Sequence, residues 1–260
     1  MNNRIENSFA RLNGKKALIA FITGGDPDIE TTEKLVLAME EAGADIIEIG
    51  IPFSDPVAEG IVIQEADARA LAAGCTVDKL FDLVKRLRQK TNIPLLFMTY
   101  ANPIFAYGKE RFMAKCKEVG IDGIIVPDVP FEEKDEFEAE CSRHGISLIL
   151  FIAPTSGERI DKIALEAQGF LYCVSSLGVT GVRNEINTNI AGLITQVKKV
   201  SSVPCAVGFG ISTPEQAREM AEISDGVIIG SAIVRLIAEY GRDSVVRVGE
   251  FVGRMKESIM

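Results

Sequence analysis

Eight short apolar runs limit what this chain can fold into more than any other feature. They are ALIAFI (17–22), DIIEIG (45–50), IPLLFM (93–98), DGIIVP (122–127), ISLILF (146–151), FLYCV (170–174), VPCAVG (203–208) and DGVIIG (225–230). Most are bounded by Gly, Pro or Asp and are rich in Ile, Val or Leu, the pattern of strands buried on both faces of a parallel sheet. Between them the period turns helical. Leu35, Met39 and Ala42 form one stripe, ended by Gly43; Phe112, Cys116 and Val119 form another, ended by Gly120. Phe137, Cys141 and His144 lead to Gly145, and Ile160, Ile163, Ala164 and Ala167 to Gly169. Thr213-Pro214-Glu215-Gln216 spells a capping box with proline at the first helical position. No linker or low-complexity segment interrupts the order. An α/β chain of this kind is expected to close into one (β/α)8 TIM barrel over 1–260, with an extra N-terminal helix. An open doubly wound sheet is the alternative, although it usually has fewer strands and a stronger fingerprint after the first.

At 260 residues and 47% apolar composition the chain can bury a large core, and no apolar run approaches bilayer length. A net charge of −9 argues against a nucleic-acid partner. Five scattered cysteines without a CxxC or Cys/His cluster are expected as reduced core thiols in a cytoplasmic protein, with no structural zinc.

One strand breaks the oily pattern. IIEIGIPFSDPVAEG (46–60) sets Glu48 among Ile46, Ile47 and Ile49 and follows it with Asp55 and Glu59. A carboxylate in an apolar strand is costly unless paired, hydrogen-bonded or held for a task. Near the C-terminal end of a barrel strand, Glu48 is expected to be a general acid/base with a raised pKa. Glu59 reads equally as a solvated loop acid or as the second member of a carboxylate pair. Asp55, between Ser54 and Pro56, is explained by an Asx turn. Glycines follow the last three strands, at Gly178 and Gly181, Gly208 and Gly210, and Gly230 before Ser231, the arrangement by which barrels hold phosphate. The two long connections, 51–61 and 175–189, read as lids. Phe21, Tyr172 and Phe209 fall at or near strand ends, where they could line a flat apolar pocket. His144, the one histidine, sits at a helix C-terminus where the dipole explains it, which leaves no His-based triad.

The motifs FITGGDP (21–27), IIEIGIPFSDP (46–56), YANPIFAYG (100–108), VPDVP (126–130), APTS (153–156), GVTG (178–181), VGFGISTPEQ (207–216) and DGVIIGSAIV (225–234) resemble those of the tryptophan synthase alpha chain family, in the same order and across nearly the whole chain. The resemblance implies a lyase that cleaves indole-3-glycerol phosphate into indole and glyceraldehyde 3-phosphate. It implies no cofactor in this chain and a beta-chain partner, in an alpha2beta2 assembly, that carries pyridoxal phosphate. Carried over, the catalytic glutamate falls on Glu48, the phosphate contacts on Gly181, Gly210, Gly230 and Ser231, and the indole and lid positions on Phe21, Tyr172, Thr180 and Phe209. The loop around Asp55 and Pro56 matches the region facing the beta chain.

Two stretches depart from the family pattern, at three positions. SDPVAEGIV places Glu59 where the family has the second catalytic aspartate and Ile61 where it has proline, and Ser176 stands where an arginine commonly precedes GVTG. The departures bear on rate rather than on substrate. They also motivate an alternative, a catalytically weakened barrel acting mainly as an allosteric partner of the beta chain. Other phosphate-binding barrel enzymes would want a lysine near a strand end, and none of the eight runs has one.

Overall fold

Each apolar run becomes a strand because its side chains find apolar partners on both faces. The computed structural model describes residues 3–174, 190–208 and 210–260. Among them the strands are β1 (Ala17–Thr23), β2 (Ile46–Gly50), β3 (Leu95–Met98), β4 (Gly123–Ile125), β5 (Ser147–Ile152), β6 (Leu171–Val174), β7 (Cys205–Gly208) and β8 (Gly226–Ile229). All pair in parallel in chain order, and β8 returns to β1, so the sheet is a closed (β/α)8 barrel and not the open alternative. No helix among the described residues is long and apolar enough to cross a membrane.

Strand alternation sorts the side chains into two layers. One residue from each strand fills the barrel interior: Ile19, Ile46, Leu96, Ile125, Ile149, Tyr172, Ala206 and Ile228. The intervening residues, Ile47, Ile49 and Phe97 among them, pack outward against the helices. Two residues beyond Ile46 on the same strand, Glu48 therefore also faces inward, in register with Phe21 of β1 and Leu96 of β3.

The helical stripes become Ile29–Glu41, Lys109–Val119, Asp135–His144 and Ile160–Glu166, the second and third ended by left-handed Gly120 and Gly145. Ala42 and Ala167 fall just past their helices as C-caps. Before Pro214–Ile223 the capping box is formed in both directions between Thr213 and Gln216. All five cysteines are buried and free.

The expected opening helix, Arg4–Leu12, is capped by Asn3 and plugs the N-terminal mouth of the barrel. Ile5 joins the interior cluster with no exposure, and Phe9 lies 6.0 Å from Phe170. Arg4 pins the helix to Asp122 at 2.8 Å, and the same carboxylate takes Arg88 at 2.7 Å and the Leu95 amide at 2.9 Å. This seal leaves the opposite mouth as the open one. Replacing Ile5 with Ala should lower the unfolding free energy by about 2–4 kcal/mol in urea titrations; a loss below about 0.5 kcal/mol would show that the plug does not complete the core.

Candidate active site

The C-terminal mouth holds a partly open cavity, lined by Phe21, Met98, Pro127, Phe151 and Tyr172, by Glu59, and by Gly210, Gly230 and Ser231. The strand ends and the loops after them thus bring together most of the residues singled out from sequence. Thr180, Gly181 and Phe209, with the rest of the 175–189 segment, lie outside the described residues.

Glycine does two different jobs here. A Cβ on Gly208 would sit 2.7 Å from the Tyr172 ring, and one on Gly50 2.8 Å from the Phe21 ring. Those glycines make room for the two aromatic walls. Gly210, at φ +86°, and Gly230, at the head of the helix Ser231–Tyr240, line the cavity itself. The Ile233 and Val234 amides already bond the Gly230 carbonyl at 2.8 and 3.1 Å. The amides before them are the ones that the start of a helix leaves for an anion.

Glu48 does not reach the cavity surface. It is fully buried, and neither carboxyl oxygen has a hydrogen-bond partner among the described residues. Burial, and after it the nearby Glu59, push its pKa up to about 8. Burial pushes the Tyr172 hydroxyl well above its ordinary range, and both acids raise it further. The expectation of a carboxyl with raised pKa holds, and its leading cause is desolvation.

Glu59 is 6% exposed and lines the cavity, so it is not the solvated loop acid. Its loop is firmly tied. The Ala58 amide donates to the Tyr100 hydroxyl at 3.0 Å, the Gln64 side chain donates to the Glu59 carbonyl at 2.7 Å, and Phe53 stacks 5.5 Å from the Tyr100 ring. The loop spans 51–60 and ends at the helix Ile61–Ala72. Val57 and Ile61 on its outer side are 76% and 65% exposed. Asp55 is exposed and accepts the Ser54 hydroxyl at 2.5 Å in place of the Asx turn. His144 ends its helix as read, with a buried Nε2 that has no partner among the described residues, and takes no part in the cavity.

Sequence reasoning missed Tyr100 and the buried Asp67. Both had a signal: Tyr100 lies two residues past the end of a strand, and Asp67 interrupts the apolar face Ile63, Ala66, Ala70 as Glu48 interrupts its strand. No group of three His, Cys, Asp or Glu among the described residues is arranged to hold a metal ion.

The family model described as tryptophan synthase alpha chain matches residues 8–260. The chain belongs to the tryptophan synthase alpha chain family. A member from Alkaliphilus metalliredigens is 49% identical over 99% of this chain and 98% of its own length, and one from Halalkalibacterium halodurans is 53% identical over 88% of each. The crystal structure of tryptophan synthase subunit alpha from Legionella pneumophila superposes with a TM-score of 0.90 at 37% identity, covering 100% of this chain and 99% of that one. The tryptophan synthase complex from Pyrococcus furiosus gives 0.85 at 37% identity over 93% of this chain and 98% of that one.

Two outcomes follow for this family member. With its folded pKa raised from 4.5 to about 8, Glu48 contributes stability that is intact below the lower value and is lost as pH rises through the higher one. Glu48→Gln should therefore match the wild type near the lower value and exceed it by on the order of 5 kcal/mol above the upper one. Denaturant titrations at the two ends test this, and an equal difference at both would refute it. Gly208→Ala should displace the Tyr172 ring and cost about 1–3 kcal/mol, read from the same titrations.

Proposed function

We propose that this chain cleaves indole-3-glycerol phosphate to indole and glyceraldehyde 3-phosphate, as the alpha chain of a tryptophan synthase in tryptophan biosynthesis. The observation that carries this reading is a single cavity joining three features: flat walls from Phe21 and Tyr172, an acid in Glu59 with Glu48 close behind, and an amide-rich end at Gly210, Gly230 and Ser231. Those features match an indole ring, a bond broken by proton transfer, and a phosphate.

In the proposed retro-aldol route, Glu48 delivers a proton to the ring carbon that bears the side chain, giving the indolenine tautomer. It then takes the proton of the neighbouring glycerol hydroxyl as the carbon–carbon bond breaks. The bonding pair returns to the ring, aromatic indole leaves, and the former hydroxyl carbon becomes the aldehyde. A carboxyl whose pKa lies near 8 is protonated at neutral pH and able to act as the acid first. Because no hydrogen bond pins it among the described residues, turning it toward the cavity breaks none. Glu59 accepts the indole N–H and balances the positive charge that grows on the ring nitrogen. Gly210, Gly230 and Ser231 hold the phosphate, so remote binding energy fixes the scissile bond.

The resemblance adds Gly181 to the phosphate contacts, and Thr180 and Phe209 to the closing loop and the indole wall. It also assigns pyridoxal phosphate to a beta-chain partner in an alpha2beta2 assembly and none to this chain. The exposed Val57 and Ile61 suit a surface covered by such a partner.

The purified chain, given indole-3-glycerol phosphate with and without a beta chain, should release indole, and none under either condition would refute the enzymatic reading. Glu48→Gln should lower kcat by about 10²–10⁴-fold. Glu59→Asp separates two accounts of the longer acid: a faster variant means that glutamate compromises the geometry, whereas a collapse means that the tied loop has adapted to it. Normal activation of the beta chain beside a near-zero lyase rate would support the allosteric alternative.

A further inference from the structure

The wall of the cavity thins where β4 and β5 separate. Their register runs only from Gly123 with Ser147 to Ile125 with Ile149, whereas β5 stays paired with β6 as far as Ile152. Past that point Val126 and Pro127 on one side and Leu150 and Phe151 on the other border a second crevice, which also takes in Leu148 and Ile163. Pro127 and Phe151 line this crevice and the cavity alike, so these two side chains form the partition between them. Phe151 follows Ile149 by two residues on the same strand and packs against the barrel interior, its ring 4.8 Å from that of Tyr172. The cations on the crevice are already paired: Lys134 with Glu138 and, at 3.1 Å, with Glu166, and Arg159 with Glu132 at 3.1 Å. A neutral apolar group in the crevice therefore meets Leu148, Leu150 and Ile163 with the charges around them balanced.

Strand order decides which end of the substrate meets this partition. In the closed barrel β8 lies between β7 and β1, and β4 and β5 stand across the mouth from it. With the phosphate at Gly210, Gly230 and Ser231, after β7 and β8, the indole extends toward β4 and β5 with its benzo ring leading. We propose that Phe151 is a specificity-determining residue: it closes the ring end of the cavity against the crevice, and so limits how large a substituent the benzo ring can carry. The inference rests on the reading of this cavity as the indole-3-glycerol phosphate site. Truncating Phe151 joins two spaces that already exist, so the room gained is open to a ligand and is not a sealed void around which the core must collapse.

The test runs the reaction in reverse, condensing an indole with glyceraldehyde 3-phosphate, so that the ring can be varied directly. The full chain is given indole, 5-bromoindole, 6-bromoindole and 2-methylindole. The kcat/KM of each substituted ring is divided by that of indole, which cancels general damage from a substitution. Phe151→Ala should raise this ratio about tenfold or more over wild type for at least one bromoindole, with Phe151→Leu between the two. The ratio for 2-methylindole, whose substituent lies beside the reacting carbon, should stay within about threefold of wild type. A wild type that uses both bromoindoles as well as indole would overturn the proposal. So would Phe151→Ala ratios that stay unchanged, or that rise as much for 2-methylindole. Calorimetric binding supplies a readout independent of turnover: relative to indole, a bromoindole should bind Phe151→Ala about tenfold more tightly than it binds the wild type. A wild type that condenses no indole would overturn the enzymatic reading. The binding comparison then decides the partition by itself, and equal relative affinities in the two proteins would overturn that too.

Discussion

A carboxyl group with no hydrogen-bond partner, sealed inside an apolar barrel, is the constraint on which the rest of this structure depends. Glu48 lies between Phe21 and Leu96 in register, fully buried, with both oxygens unpartnered among the described residues. An ionised carboxylate in such a place costs several kcal/mol, so the group keeps its proton instead. The mouth of the barrel is arranged around that solution. Gly50 and Gly208 give up their side chains so that Phe21 and Tyr172 can lie at the strand ends beside the acid. The plug of Ile5 and Phe9 closes the far mouth, leaving one way in.

Separate environments keep the neighbouring acids chemically distinct. Glu48 is governed by burial first and by the nearby Glu59 after it. Glu59 lines the cavity on a loop tied by Tyr100 and Gln64. Asp67 is buried on the helix behind that loop, whereas Asp26 takes two hydrogen bonds from the Arg69 guanidinium. Four acids in this part of the barrel thus have different reasons to hold or release a proton, the condition under which one fold can supply both an acid and an acceptor at the same pH.

The barrel was legible because its signal repeats: eight runs of Ile, Val and Leu with punctuating Gly, Pro and Asp leave few topologies. Glu48 was legible for the opposite reason, as a single residue that violates its local pattern. Gly210 and Gly230 were legible as strand-end glycines, but Gly208 looked the same in sequence, and only the approach of the Tyr172 ring separates their roles. Asp67 broke a helical stripe as plainly as Glu48 broke a strand. Barrel sites are sought at strand ends, whereas Asp67 lies within the helix Ile61–Ala72, at 5% exposure. Tyr100 was hidden similarly, since its partner, the Ala58 amide, is forty-two residues away.

Direct titration of the Glu48 carboxyl tests the central claim most closely. With glutamate labelled at the side-chain carboxyl carbon, and Glu48→Gln used to assign the signal, its carbon resonance followed against pH should move with a midpoint near 8. A midpoint in the ordinary glutamate range, at about 4–5, would mean that the barrel stabilises the charged form, and the account of a proton held for the ring carbon would fail.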